Sequence, residues 1–507
     1  MLAKINSFGL SGLDGYKVDV EVDINAGLPS YDVVGLPDAA VKESKERVRA
    51  AIKNSLLQFP RHKIIVNLAP ADIKKEGPSF DLAIAVSILA ASDQVKLDIA
   101  SEYVYFGELG LDGNIKHIKG ILPLLISSKE KGYKKFIIPA ANQKEASYIA
   151  GIEVYALTSL TEVVQMLNGL SKFEMVKNSV WQVDGASGYE DFARVKGQHA
   201  VKRAMEIAVS GGHNILMAGP PGAGKTMIAR CVPGILPDLT FEEALEITKI
   251  HSIAGKLDAE KGVITTRPFR SPHHTATNVA LIGGGKDAKP GEVSLAHGGV
   301  LFLDEMPEYP RNVIEALRGP LEDGRVTVSR ASGSYEYPAN FMLVASMNPC
   351  PCGNYGSKDL TCTCSMNQIS KYLKKISGPL LDRIDIKVDV DRVAFIDLRT
   401  ESSEESSEQI KQRVDKARAI QLKRFAGTGI YTNAKMSSKQ IKEFCKLDEQ
   451  SEMLLKNAFD KFKMSARGYT RILKVARTIA DLEGSENITA NHILEAISYR
   501  NIDKIQI

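Results

Sequence analysis

Residues 219–226 read Gly-Pro-Pro-Gly-Ala-Gly-Lys-Thr and follow directly on the apolar run Asn214-Ile215-Leu216-Met217-Ala218. A G-x-x-x-x-G-K-[ST] loop in that position dictates local architecture: a buried strand ends, the chain turns tightly, and a helix opens at residues 227–231. The turn aims backbone N–H groups at one point, where the helix dipole favours an anion. Gly219, Pro220, Pro221, Gly222, Ala223 and Gly224 are expected to cradle phosphates. Lys225 should reach the outer phosphates, and the Thr226 hydroxyl should sit on Mg2+. The chain is read as binding a nucleoside triphosphate.

Hydrolysis needs more than this loop. Val300-Leu301-Phe302-Leu303 reads as a strand covered on both faces, and it ends in Asp304-Glu305. Asp304 is expected to hold the Mg2+ shell and Glu305 to polarise the attacking water as general base. A third apolar run, residues 341–345, leads to Ser346-Met347-Asn348. Asn348 reads either as a contact to the γ-phosphate or lytic water, or as a plain turn residue. Downstream come Leu380-Leu381-Asp382-Arg383-Ile384-Asp385, in isolation a surface salt bridge, and Gly468-Tyr469-Thr470-Arg471, which opens an amphipathic helix.

At 507 residues the chain is too long for one core. Residues 1–168 alternate β-rich runs (16–24, 63–68, 135–138) with helical ones (39–56, 80–91, 122–131), an α/β domain of its own. Residues 169–188, holding the only tryptophan, read as a linker. Residues 189–392 form a second α/β region, and 393–507 read as helical, entered through an acidic Ser/Glu patch at 401–408 taken as a solvated helix start. The fold class is multidomain α/β with a helical C-terminal part. No segment approaches about 18 uninterrupted apolar residues, and the first twelve residues lack an apolar h-region. The expectation is a cytoplasmic protein without a membrane partner. A net charge of +4 neither requires nor excludes a polyanion.

Four of the six cysteines fall between positions 350 and 364, as Cys350-x-Cys352, nine residues, Cys362-x-Cys364. Four thiolates satisfy a tetrahedral Zn2+ in a closed structural site. The C-x-C spacing is tighter than the usual C-x2-C, and free thiols or a redox pair are the alternatives. Cys231 and Cys445 read as buried. His273-His274 reads as part of a polar loop.

Taken in order, the phosphate loop, Asp304-Glu305, Asn348, Arg383 and Arg471 resemble the AAA+ ATPases. Val195-Lys196-Gly197-Gln198 resembles their adenine-side motif, which brings in Gly197 and Gln198 and implies ATP. The resemblance implies that Arg383 is a finger donated to a neighbour's nucleotide. It makes Arg471 (Arg467 as runner-up) the sensor arginine of the helical lid, in a ring that is most often a homo-hexamer. Two insertions, residues 267–299 and a hairpin of Arg325–Arg330 with Gly333–Pro338, resemble pore-lining elements of magnesium chelatases and replicative MCM helicases. Arg267, Arg270, Lys286, Lys289, Arg325 and Arg330 are then candidates for contacting a nucleic-acid backbone, or else solvated loop charges.

Lys75-Glu76-Gly77-Pro78-Ser79, the helix at 80–91, the block at 107–114 and Lys135–Pro139 resemble the Lon protease fold around its nucleophilic serine. A Ser–Lys mechanism needs a lysine to take the serine proton. Leu122 stands in its place, with Lys116 and Lys119 off register, so peptidase chemistry is not expected and Ser79 is read as a helix N-cap. With the Asn-Pro-Cys-Pro-Cys-Gly segment at 348–353, the whole resembles the bacterial YifB/ComM family of magnesium-chelatase-like proteins. That resemblance implies an ATP-driven hexameric DNA translocase or helicase promoting branch migration in homologous recombination and natural transformation. DNA is the implied partner, with recombination proteins as candidates beside it. The rival readings are the motor subunit of a metal chelatase and a protein-remodelling or regulatory ATPase.

Overall fold

The computed structural model describes residues 2–183, 189–258, 260–285, 288–330, 333–357, 360–393 and 404–500. The chain divides into two compact units. The first comprises Met1–Gln182, Phe241–Thr265 and Ser329–Tyr337; the second comprises Val183–Thr240, Thr266–Val328 and Pro338–Ile507.

The first unit is built on seven strands: β1 (Leu2–Ser11), β2 (Asp14–Asn25), β3 (Ser30–Val34), β4 (Lys63–Ala69), β5 (Val104–Tyr105), β6 (Lys135–Pro139) and β7 (Glu153–Leu157). They lie in the order β3-β4-β2-β1-β5-β6-β7, a mixed sheet. Helices α1 (Ala39–Asn54), α2 (Asp81–Ala91) and α3 (Ile121–Glu130) follow the sequence pattern to within about two residues at each end. Every residue of α2 is buried, which explains why Asp-Leu-Ala-Ile-Ala-Val-Ser-Ile-Leu-Ala-Ala shows no amphipathic stripe. Leu122, which the Lon resemblance sets where a Ser–Lys mechanism needs its base, is fully buried on α3. The N-cap expected of Ser79 is not formed. Ser79 lies inside a short 3-10 turn, Pro78–Phe80, and no side chain caps α2. From the later chain, helix Phe241–Ala254 belongs to this unit: Ser252 accepts the Gly120 N–H (3.2 Å) and donates to Glu145 (2.9 Å).

In the second unit, α4 (His199–Gly211) precedes β8 (Ile215–Ala218), and the phosphate loop opens α5 (Lys225–Cys231). Strands β9 (Phe269–Arg270), β10 (Val300–Leu303), β11 (Met342–Met347) and β12 (Ile386–Asp389) complete an all-parallel sheet in the order β9-β10-β11-β8-β12. Strands β8, β10 and β11 are buried throughout, as parallel strands covered on both faces require. Helices α6 (Met366–Leu373), α7 (Ser407–Arg424) and α8 (Ala466–Leu482) follow. Residues 325–330 and 333–338 pair as the expected hairpin, whose Ser329–Tyr337 portion is counted with the first unit; its turn at 331–332 lies outside the described residues.

The acidic patch before α7 is not simply solvated. Glu404 pairs with Lys202 at 2.6 Å, with both side chains nearly buried, and accepts the Gly197 N–H at 2.9 Å. Burial pushes the Glu404 carboxyl up, but Lys202 and the Gly197 N–H outweigh it and hold it below the ordinary range. Ser406 then caps α7 in a capping box with Gln409. Residues 401–403 of the patch lie outside the described residues.

Candidate nucleotide site

Parallel strands present their carboxyl ends along one edge of the sheet, where α/β folds bind ligands. Here β8 ends in the phosphate loop, β10 in Asp304-Glu305 and β11 in Asn348, with β11 lying between the other two. The loop backbone depends on glycine. Gly222 and Gly224 hold φ of +79° and +87°, and a Cβ on Gly219 would lie 2.1 Å from the Val390 carbonyl oxygen.

Lys225 is buried, and its Nζ donates to the carbonyls of Gly219 (2.7 Å) and Pro220 (2.9 Å) and to Asn348 Oδ1 (3.1 Å). Burial holds its pKa below the ordinary lysine value, against the pull of Asp304 and Glu305. Thr226 Oγ1 donates to Asp304 Oδ2 at 2.8 Å. Lys225, Thr226, Asp304 and Asn348 are thus brought together.

One participant was not foreseen from the sequence. The buried Ser346 hydroxyl donates to Asp304 and accepts the Glu305 N–H at 3.0 Å. Glu305 itself sits at φ +50°, rare for a non-glycine residue, with its side chain exposed beside the site. A serine closing an otherwise apolar strand was the available signal. On the other flank, Gln198 Nε2 donates to the Asp391 carbonyl, and Gly197 is held by Glu404. Asp391 also borders a cleft of about 210 Å3, together with Gly219, Pro220, Pro349, Gly353 and Tyr355.

Arg383 and Arg471 are not at this edge. Asp385 and Ile386 N–H groups both donate to the Asn214 carbonyl, and Asn214 Nδ2 donates to the Arg383 carbonyl at 2.9 Å. Since Asn214 precedes β8, this is the strand-start edge, opposite the phosphate loop. Arg471 donates to the same Arg383 carbonyl (3.0 Å) and to Asp385; Arg383 pairs with Glu322 and donates to the Pro379 carbonyl (2.8 Å). The sensor role that the resemblance implies for Arg471 is not met within one subunit, for a plain reason: its anchoring acid, Asp385, is buried at the far end of the sheet. Around it, Glu322, Arg383, Asp385, Arg467, Arg471 and Lys474 line a pocket of about 120 Å3, and the buried Arg383 Nε has no hydrogen-bond partner among the described residues.

Two of the six basic candidates are structural. Arg267 is buried and donates to the carbonyls of Pro237, Gly298 and Asp238; Arg270 forms a two-pronged pair with Glu292. Lys289 and Arg325 are exposed, Lys286 lies outside the described residues, and only the backbone of Arg330 is described.

The four clustered cysteines do converge. Cys350 and Cys352 Sγ lie 3.4 Å apart, Cys350 and Cys362 3.7 Å, and Cys352 and Cys362 3.6 Å. With Cys364 they are a group that could hold a metal, and no other such group occurs among the described residues. His273 is instead tied to Thr275 Oγ1 at 2.9 Å. Among the described residues no helix is long and apolar enough to cross a membrane.

Models of magnesium chelatase match the chain in three places. The subunit ChlI model covers residues 191–398, a second ChlI model 20–142, and the ChlI C-terminal model 404–500. Competence protein ComM of Haemophilus influenzae is 42% identical over 506 residues, 98% of this chain and 97% of that protein. The Escherichia coli protein YifB is also 42% identical, over all of this chain and 98% of its own length. Lon protease 2 of Bacillus subtilis is similar over a part, 32% identical across 167 residues, 30% of each chain. A phosphate loop and acid pair on one sheet edge, and relatives matched from end to end, place the chain in the YifB/ComM family of magnesium-chelatase-like AAA+ proteins.

Proposed function

We propose that this protein is an ATP-driven DNA translocase that works as a closed ring, most simply a hexamer, on branched recombination intermediates. The observation that carries the reading is the division of the site between two edges of one sheet. Lys225, Thr226, Asp304 and Asn348 gather at the strand ends, while Arg383 and Arg471 gather at the strand starts. A second copy presenting its strand-start edge completes the nucleotide site, and a head-to-tail contact of that kind closes into a ring. Such a site is silent until assembled.

Within one subunit the roles follow from position. Lys225 exchanges a loop carbonyl for a phosphate oxygen. Thr226 and Asp304 are the residues to hold Mg2+, which when bound draws charge from the β- and γ-phosphates. Ser346 fixes the Asp304 carboxylate and the Glu305 backbone together, leaving the exposed Glu305 carboxylate to accept a proton from the attacking water. Asn348 shares its Oδ1 with Lys225, which leaves its amide for the γ-phosphate or the water. Gly197 and Gln198 take the adenine side. The neighbour's Arg383 and Arg471 balance the charge that builds on the transferred phosphoryl group.

DNA as the substrate is supported by the family and by the competence role its Haemophilus relative is named for, together with exposed basic residues, Lys289 in the insertion at 267–299 and Arg325 on the hairpin. The test is ATPase rate and DNA binding with linear, single-stranded and four-way-junction DNA across a salt series. Junction DNA should stimulate hydrolysis. Lys289→Ala with Arg325→Ala should flatten the slope of log K against log salt by up to about 2. A chelatase motor or a protein-remodelling ATPase requires the reverse: no DNA binding and a rate indifferent to DNA.

A further inference from the structure

The cysteine segment is joined to the nucleotide site at three points. It begins two residues after Asn348, the side chain that touches Lys225. It ends at Ser365, which caps α6, and Tyr372 on that helix lies within electrostatic reach of the Asn348 backbone N–H. Midway, Gly353 lies against the phosphate loop so closely that a Cβ there would stand 2.3 Å from Pro221 Cδ. Pro349, Gly353, Tyr355, Gly356 and Ser357 form one wall of the cleft whose other wall includes Gly219 and Pro220.

This wall has no helix or strand among its described residues between 350 and 364. What gathers it is the sulfur cluster. Four thiolates around one tetrahedral ion at about 2.3 Å stand about 3.8 Å from one another, whereas a disulfide requires about 2.05 Å. The observed separations of 3.4, 3.6 and 3.7 Å fit the first geometry, and all four Sγ atoms lie within 4.8 Å. A backbone N–H points at the sulfurs as it does around thiolate-bound metals: Tyr355 donates to Cys350 at 3.3 Å.

The geometry points to a single thiophilic cation of the Zn2+ class bound by Cys350, Cys352, Cys362 and Cys364, whose role is to hold one wall of the nucleotide cleft and the backbone of Asn348 in place. The four thiols release their protons as the ion binds. The metal stays out of the chemistry and sets how well the site is formed, so nucleotide affinity depends on metal content. This rests on the nucleotide reading above.

The full chain, purified under reducing conditions, is assayed for metal by plasma mass spectrometry and for affinity toward a fluorescent ATP analogue. The metal is then stripped with a mercurial and chelator and returned with reductant and Zn2+. One metal per chain is expected, with nucleotide binding about tenfold weaker when stripped and recovered on return. Cys352→Ser and Cys364→Ser should lose the metal and weaken binding similarly, circular dichroism reporting that the rest stays folded. Co2+ in place of the native ion should show the visible bands of a tetrahedral thiolate site. Absence of metal with no uptake overturns the proposal, and so does unchanged affinity in the stripped protein. Failure of the nucleotide reading has its own signature, a metal-loaded chain that binds no ATP analogue, and it removes this proposal as well.

Discussion

If the arginines serve a neighbour, two dead variants should revive one another. Lys225→Ala removes the buried ammonium that bridges the phosphate loop and Asn348. Arg383→Ala removes the guanidinium at the opposite edge. Four residues of β8 at about 3.3 Å each set the two edges about 13 Å apart, far beyond the roughly 4 Å of an ion pair. Each variant alone should lose about 10^3-fold or more in turnover, the usual worth of an arginine finger. In an equimolar mixture that exchanges subunits, one interface in about four joins an intact loop to an intact Arg383 across a head-to-tail contact. Independent sites then return about a quarter of the wild-type rate. An arrangement within one subunit returns nothing, because every chain in the mixture carries a lesion. The assay is steady-state ATPase against mixing ratio, with native mass spectrometry confirming mixed assemblies. Confirmed mixing without recovery above the summed residual rates would refute the divided-site argument.

Other outcomes follow from single contacts. Ser346→Ala removes a hydroxyl bonded to the Asp304 carboxylate and the Glu305 N–H. Hydrogen bonds to charged groups contribute about 1.5–3 kcal/mol, so kcat should fall by about 10- to 100-fold while ATP affinity holds; a kcat within twofold of wild type removes Ser346 from its positioning role. Glu305→Gln should preserve ATP binding and assembly but abolish turnover, and a normal rate would remove Glu305 as general base. Asp385 is buried; burial raises its carboxyl pKa, but Arg471 and His213 outweigh this and leave it well below the ordinary range. A depressed pKa contributes stability that is present above the unfolded value of about 3.9 and is lost as pH falls below it. Asp385→Asn should therefore lower Tm near neutral pH and flatten its decline as pH falls below about 4; an unchanged acid limb would contradict the pairing.

What the sequence made legible were the strand ends. The phosphate loop, Asp304 and Asn348 each follow an apolar run of four to six residues, and parallel strands of that length bring such positions onto one edge. Positions whose meaning depends on a distant partner were not legible. Arg267 was read as a pore cation or a solvated loop charge and is instead wrapped by three carbonyls from two other segments. Glu404 looked like a solvated helix start and is the buried partner of Lys202, 202 positions earlier. Arg471 had the right family spacing, but which edge it serves is decided by Asp385 and Asn214, and no local pattern carries that information. Cysteine spacing suggested a metal, yet the contact of Gly353 with Pro221 exists only once the segment is folded.

The Arg383–Glu322 pair decides whether the lone subunit is merely waiting or is locked. Arg383 is almost wholly buried, but the Glu322 side chain is 47% exposed and also takes Arg467 at 3.2 Å. An ion pair with one partner in water contributes about 0.2–1 kcal/mol, less than the binding of a nucleotide phosphate in the same pocket returns. On the proposed trans arrangement, Glu322 would hold the guanidinium in place between encounters and yield to a neighbour's nucleotide rather than bar it. Arg383 lines its pocket together with Arg467, Arg471 and Lys474, a cluster of positive charge suited to a phosphate. Glu322→Gln should consequently leave assembled ATPase within about fivefold of wild type, in proportion to the small energy at stake. It should also lower the salt sensitivity of activity, since one competing anion is gone. A loss approaching that of Arg383→Ala would mean that Glu322 positions the finger in the working state, and the two residues would then have to be treated as one functional pair.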